Sequence, residues 1–247
     1  MTAVSAVVPV YNGAGFLPAA VATIRAQAVE GLEIVVVDDG STDETPGVAA
    51  ALSAADPAMR VVRTANRGPS AARNAGIEAA RGAIIAFLDV DDEWTPGRMG
   101  LMLGRLAAGP ELDVVYGKIE VVCTDPDDSH WRRLRIEAGG AISPLIGSGV
   151  YRRRAFERIG GFDETMRFGE DLDWFLRALE ARLALRILDR VVLRYVLHRT
   201  NVTRDRAAVQ RSVADTVRRS MIRRRRKGDQ SPLPLMTSFL EAVPDDR

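Results

Sequence analysis

The chain has 247 residues, 47% of them hydrophobic, which is enough to bury a substantial core as one α/β domain with an appendage. With 34 Lys and Arg against 33 Asp and Glu, its formal net charge of +1 gives no electrostatic ground for a nucleic-acid binder. The single cysteine, Cys123, excludes an intramolecular disulfide and a thiolate zinc site.

In chain order, Val4 to Val10 reads as a buried strand, followed by a turn at Asn12-Gly13 and an amphipathic helix from about Phe16 to Gln27. A second apolar strand, Glu33 to Val37, ends in Asp38-Asp39-Gly40-Ser41. A helix over Thr45 to Ala55 leads to a short strand at Arg60 to Arg63, and a helix beginning at Pro69 leads to the strand Ala83 to Leu88. Thr95 is expected to cap a helix with Pro96 at its first position, running to Ala108. Leu112 to Val122 reads as a longer strand or hairpin, and Asp125 to Ser129 as an acidic loop. Beyond Ala141 come a short strand at Gly149 to Tyr151, a helix ending at Gly160-Gly161 and a helix from Glu170 to Ala181. Two short strands, Ala184 to Leu188 and Val191 to Val196, precede a final helix from Ala207 to Lys227 and an extended tail with Pro232 and Pro234. The alternation of strand and helix implies a mostly parallel sheet.

The expected setting is a reducing, cytoplasmic one. The apolar run Ala6 to Val10 has no basic region before it, and no stretch has the length of a membrane span. The sequon Asn201-Val202-Thr203 is then incidental.

In parallel sheets, ligands bind outside the carboxyl ends of the strands, and three strands here end in polar clusters. Asp38-Asp39 meets a Gly-Ser turn, where a carboxylate can accept hydrogen bonds from a pyrimidine imide or a ribose; the same residues also favour a turn and helix cap. Asp89-Val90-Asp91-Asp92 packs three carboxylates into four residues, which repel one another unless a hard cation such as magnesium or manganese is bound. In Asn66 to Asn74, free N–H groups at a helix start and the forks of Arg67 and Arg73 suit a diphosphate, although both arginines also read as surface charges. Glu170, Asp171 and Asp173 fall in the first turn of a helix, where the macrodipole favours acids. A carboxylate there, beside Phe168 and Trp174, can also serve as a general base. His198 reads either as a further metal or diphosphate contact or as a packed imidazole, and His130 is assigned no role.

Val8-Pro9-Val10-Tyr11-Asn12-Gly13, Val37 to Asp43, Asn66 to Gly76 and Phe87 to Asp92 together resemble family 2 of the inverting glycosyltransferases, which have the GT-A fold. Gly160-Gly161-Phe162-Asp163-Glu164 and Gly169-Glu170-Asp171 resemble that family's downstream half, so the resemblance covers about residues 4 to 200. It implies a Rossmann-like, mostly parallel sheet flanked by helices. Its expected parts are a donor-binding half over 1–110, an acceptor-side half over 111–200 and a helical extension over 201–247. It further implies that Pro9 and Tyr11 line the base pocket and Asp39 contacts the base, with Asn12, Asp38 and Gly68 as further substrate-binding residues, and that Arg73 lies near the diphosphate. Asp89 and Asp91 match the ends of the family's DXD motif, making Asp91 the direct ligand of a Mn2+ or Mg2+ ion, with Asp89 and His198 as further contacts. Asp171 matches the catalytic base, with Glu170 the competing assignment and Trp174 on the substrate side.

The implied activity is inverting transfer from a nucleotide-diphosphate sugar, UDP- or dTDP-linked, to an acceptor hydroxyl. The segment Gly147 to Tyr151 with Arg152 to Arg154 falls where the family builds acceptor contacts. The acceptor stays open between a lipid-linked sugar, a polysaccharide, a peptide and a natural product, and a homo-oligomer is compatible. The run Arg223 to Lys227 reads either as a peripheral contact with the inner membrane face or as a solvated helix end. Of the alternatives, a nucleotidyltransferase would need basic residues in the glycine-containing segment Val8 to Gly15. A dinucleotide-binding dehydrogenase would need a G-x-G-x-x-G after the first strand. A non-catalytic sugar-nucleotide sensor would have no use for Asp171.

Overall fold

The computed structural model describes residues 3–123, 140–198 and 206–243. The acidic loop at 125–129, His130 and the sequon at 201–203 lie outside them. In chain order the elements are β1 (Val4–Val10), α1 (Leu17–Arg25), β2 (Leu32–Asp38), α2 (Thr45–Ala55), β3 (Met59–Arg63), α3 (Pro69–Ala79), β4 (Ile84–Phe87) and β5 (Glu93–Trp94). They continue with α4 (Arg98–Ala108), β6 (Val114–Cys123), β7 (Gly149–Arg152), α5 (Arg153–Ile159), α6 (Glu170–Glu180), β8 (Leu185–Leu197), α7 (Arg206–Arg226) and β9 (Leu240–Glu241). The strands form one sheet in the order β3-β2-β1-β4-β7-β6-β8-β5, with β9 paired to β8. β1 is parallel to β2 and β4, β2 to β3, and β6 to β8, while β7 and β5 run against their neighbours.

That pattern has a functional consequence. Because β7 is antiparallel to both β4 and β6, the carboxyl ends of β1, β2, β3, β4, β6 and β8 share one edge of the sheet. Residues 11–13, 38–41, 64–68, 89–92 and 198 are therefore gathered along that edge despite their distance in sequence.

The period-two alternation of the strands builds a core on each face. Val4, Ala6, Val8 and Val10 of β1, with Ile34 and Val36 of β2, face Leu17 and Ile24 of α1, Ala49 of α2, and Met99, Met102 and Leu106 of α4. Val7, Val35 and Val37 face the other way, onto Ala72 of α3, Phe156 of α5 and Trp174, Phe175 and Ala178 of α6. Helices thus cover both faces, which is why β1 and β2 read as continuous apolar runs.

The structure departs from the sequence reading in three places. Thr95 and Pro96 do not open α4. Thr95 is bound instead to β8, its Oγ1 donating to Val191 O (3.0 Å), and the helix starts at Arg98 behind Gly97 at φ +74°. The two short strands expected over 184–196 are one, β8, because the break falls in its register with β6 rather than in its own backbone. The tail is not wholly extended, since Met236–Phe239 forms a 3-10 turn and Leu240–Glu241 pairs with Ile187–Leu188.

Candidate active site

At the carboxyl edge, β1 ends in Tyr11, 48% exposed, and in Asn12 at φ +52°. The Asn12 side chain ties this turn to the next loop. Its Oδ1 accepts from Thr42 N (2.8 Å), while Asn12 N donates to Ser41 Oγ (2.9 Å) and Gly13 N to Thr45 Oγ1 (2.9 Å). Tyr11 is left as an aromatic face beside this bridge, with buried Pro9 beneath it in the strand.

Asp38 and Asp39 point in different directions. Asp38 Oδ1 closes a turn by accepting from Ser41 N (2.9 Å), and Oδ2 lies 3.6 Å from Arg63 Nε, so this carboxylate is a buried turn former rather than a ligand contact. Asp39 accepts from Thr64 Oγ1 (2.8 Å), Arg67 N (3.1 Å) and Gly68 N (2.7 Å), and so fixes the loop that launches α3. Gly68 holds φ +94° at that helix start. Gly40, at φ +74°, lies where an added Cβ would meet Asn66 N at 2.8 Å, so the two loops touch because the residue is glycine.

Arg73, on α3, is buried, and its guanidinium joins the two acidic motifs. Nη2 donates to Asp89 Oδ1 (2.8 Å) and Oδ2 (3.0 Å), Nη1 donates to Glu170 Oε1 (2.7 Å), and Asp171 Oδ1 lies 3.6 Å from Nη1. Burial opposes its charge, but the carboxylates of Asp89, Asp171 and Glu170 hold its pKa well above the ordinary value. This guanidinium is already committed to carboxylates and organises them.

Asp89 to Asp92 form a tight turn, with Asp92 N donating to Asp89 O (3.0 Å). Asp92 is buried and its Oδ1 accepts from Val196 N (2.9 Å), which draws the end of β8 against the turn. One residue beyond β8's last position, His198 Nε2 lies 2.9 Å from Asp91 Oδ2, and the imidazole stacks on Phe16 with ring centroids 5.0 Å apart. Burial, then the charge of Asp89, raises the Asp91 pKa against the opposing pull of His198. Burial with Asp89 and Asp91 raises that of Asp92 further. Among the described residues, no group of three or more His, Cys, Asp or Glu side chains is placed to hold a metal alone.

Asp171 opens α6 behind Gly169 at φ +77°. Its Oδ2 accepts from Ile146 N (2.9 Å), whereas its buried Oδ1 has no hydrogen-bond partner. Burial dominates, with Glu170 and Asp89 adding to it and Arg73 opposing, and the pKa is pushed up to about 7. A carboxyl poised near neutrality, with one oxygen that accepts no hydrogen bond, has the character of a general base.

The model of the family described as glycosyl transferase family 2 matches residues 5–169, two thirds of the chain. The chain belongs to glycosyl transferase family 2. Among curated family 2 relatives, it is 38% identical to the succinoglycan biosynthesis protein ExoO of Rhizobium meliloti (strain 1021) over 193 residues, 68% of this chain and 53% of that protein. To ExoU of the same organism it is 33% identical over 202 residues, 72% of this chain and 57% of that protein. The chain thus spans about half the length of these relatives. Among solved structures it matches S. aureus TarS 1–349 in complex with UDP-GlcNAc at a TM-score of 0.64 and 20% identity, covering 82% of this chain and 61% of that one. That likeness carries the GT-A fold.

Of the family 2 residues expected from sequence, the structure brings Arg73, Asp89, Glu170 and Asp171 into one cluster and pairs Asp91 with His198. Trp174 is not part of it: fully buried, it donates from Nε1 to Gly160 O (3.1 Å) and packs on Tyr151 and Phe156, so it supports α6 from the core. Arg152 to Arg154 are likewise misplaced by the sequence reading. β7 runs antiparallel, so they emerge at the opposite edge of the sheet, where they bind backbone carbonyls including Leu112 O, Gly82 O and Pro110 O.

Two residues support the site: Asp92, whose role within the acidic motif the sequence left open, and Arg98, which the sequence reading missed. Asp92 anchors β8, and Arg98, fully buried, donates to Gly147 O (2.7 Å) and Gly149 O (3.2 Å) without a carboxylate partner, its pKa lowered by burial to about 9. Arg98 thereby fixes the 3-10 turn Ile146–Ser148, whose first N–H holds Asp171. A helix opening on a cation, against its own dipole, was the one available signal.

Proposed function

We propose that this protein transfers a sugar from a UDP- or dTDP-sugar to an acceptor hydroxyl with inversion at the anomeric carbon. The observation that carries this reading is the Arg73 cluster, which links the DXD carboxylate Asp89 to Asp171, a buried acid with a pKa near 7 and one oxygen that accepts no hydrogen bond. Membership of family 2 and the UDP-sugar bound by the structural neighbour TarS support the donor class.

The nucleotide lies along the carboxyl edge, its base against Tyr11 and the loop that Asp39 holds, its ribose toward Asp89. Asp91 and His198 fit a divalent Mn2+ or Mg2+: they offer a carboxylate oxygen and an imidazole nitrogen 2.9 Å apart, beside the carboxylates of Asp89 and Asp92. Two protein donors leave room for phosphate oxygens to complete the shell, as is usual for magnesium. Such an ion supplies electrostatic stabilisation of the diphosphate as it leaves.

Asp171 takes the proton from the acceptor hydroxyl as that oxygen attacks the anomeric carbon, and the bond to the diphosphate breaks on the opposite face. Ile146 N and the Arg98-held turn keep Oδ2 in place, which leaves Oδ1, with no hydrogen bond of its own, to take the proton. Glu170, hydrogen-bonded to Arg73, orients the guanidinium rather than acting as the base.

A panel of UDP, dTDP and GDP, each with manganese or EDTA, tests the reading by thermal shift. A metal-dependent rise with a uracil or thymine diphosphate is expected. Indifference to every diphosphate at saturation would overturn it.

A further inference from the structure

The cationic run at the end of α7 is not one surface. Arg223 turns inward, donating to Asp173 Oδ1 (2.7 Å) and to Glu180 Oε1 (2.9 Å) and Oε2 (3.0 Å) on α6. Arg224 is occupied by Asp229, at 3.5 Å. Together with Ser220 on Glu180 (2.6 Å), Arg219 on Asp163 (3.1 Å), buried Thr216 and Ser212 on Phe168 O (2.7 Å), they fix which side of α7 is docked. The helix cannot roll without breaking this row.

With that side fixed, the helical period places Val213, Val217 and Met221 in a single row facing out, 44%, 43% and 48% exposed, with exposed Ala214 beside them. A second row, Arg211, Arg218 and Arg225, repeats every seven residues along the flank of the first, and Ile222, 39% exposed, lies beyond it. The result is a narrow apolar stripe edged by guanidinium groups, continued at the helix end by exposed Arg226 and Lys227.

We propose that this face of α7 is a docking surface for an anionic lipid bilayer. Arginine stems lie along apolar surface while their heads reach phosphate, and the Val and Met methyls fit the boundary between headgroup and acyl chain. Charge decides between occupants. A second copy of the chain would set one arginine row against another, and the carboxylate nearest this side, Asp215, is already bound by Arg218 (2.9 Å) and Arg219 (2.9 Å). An anionic surface matches the exposed guanidinium groups of Arg211, Arg218 and Arg225 along the stripe. The stripe holds no large aromatic, so attachment is mainly electrostatic and reversible by salt. Docked this way, α7 lies on the membrane with its Ser212 against the turn that launches α6. The proposal does not depend on the transfer reaction.

The test is co-sedimentation of the full chain with vesicles of phosphatidylcholine alone or mixed with phosphatidylglycerol, at low and high salt. Binding only to the anionic vesicles, released by salt, is expected. Each arginine contributes about fivefold near such a surface, so R211Q/R218Q/R225Q should weaken partitioning on the order of 100-fold. V217T/M221Q should weaken it less, and both variants should keep the wild-type melting temperature and UDP-sugar binding. Three results would overturn the proposal: equal or no binding to the two vesicle types, a triple variant that partitions like wild type, or a dimer in solution that M221Q dissociates, which would assign the stripe to a second copy.

Discussion

Two buried acidic sites sit at opposite edges of the same sheet and differ in every respect that matters. At the amino edge, Glu33 accepts from Ser5 Oγ (2.6 Å), Arg81 N (2.6 Å) and Arg60 Nη2 (3.2 Å), and although burial opposes its charge these partners bring its pKa below the usual value. At the carboxyl edge, Asp91, Asp92 and Asp171 are all raised, and Asp171 Oδ1 has no hydrogen bond. Burial is the leading influence at both edges, so the difference lies in how completely the fold answers it. Glu33 is satisfied by its own chain and serves stability. The carboxyl-edge acids are under-compensated, which is the condition of groups awaiting a substrate or a cation.

The comparison breaks most visibly at Asp171. Asp171→Asn should lower single-turnover transfer by about 10²- to 10⁴-fold, the usual worth of a general base, with UDP-sugar affinity unchanged by calorimetry. The pH dependence of wild-type kcat/KM should rise through an apparent pKa near 7, and a flat profile there would remove Asp171 as base. Next in size, Asp91→Ala should abolish the manganese-dependent part of donor binding. The loss should exceed the about 10- to 100-fold typical of an outer partner, and equal affinities with and without the substitution would reject Asp91 as ligand.

Glu33→Gln should cost about 1–3 kcal/mol in denaturant unfolding, because Ser5, Arg81 and Arg60 lose a charged acceptor, while kcat stays at the wild-type value. The last effect is one of sign. The folded-state pKa of Glu33 is depressed, so its stabilisation is present above the usual value of 4.5 and is lost as pH falls through the folded value. That of Asp171 is raised from 3.8 to about 7, so its contribution is full below 3.8 and is lost as pH rises through 7. Melting curves against pH should therefore show Asp171→Asn gaining on wild type toward pH 7, and Glu33→Gln approaching it in acid.

Much of this was legible in the sequence. Continuous apolar runs at Val4–Val10 and Leu32–Asp38 mark strands buried on both faces, and polar residues at their ends mark the ligand edge. What did not show was the direction of each side chain. Adjacent Asp38 and Asp39 serve different loops, and Trp174 and Asp171 share a helical turn yet face core and site respectively. Nor does local pattern predict strand direction at a distance. The reversal of β7 carries Arg152 to Arg154 to the far edge, and β9 depends on a pairing with β8 across more than fifty residues. The two acidic motifs were each legible as carboxylate-rich, but that they meet, with Arg73 as their shared counter-ion, follows only from the folded geometry.

Sharing that counter-ion makes the two halves of the site a balance. Arg73 divides one positive charge between Asp89, at the end of a donor-side strand, and Glu170 with Asp171, at the start of an acceptor-side helix. Whatever draws Asp89 away leaves more of the guanidinium to Glu170 and Asp171, and lowers the hold of Asp171 on its proton. For the base proposed above, a ligand that takes up Asp89 therefore favours the unprotonated form of Asp171.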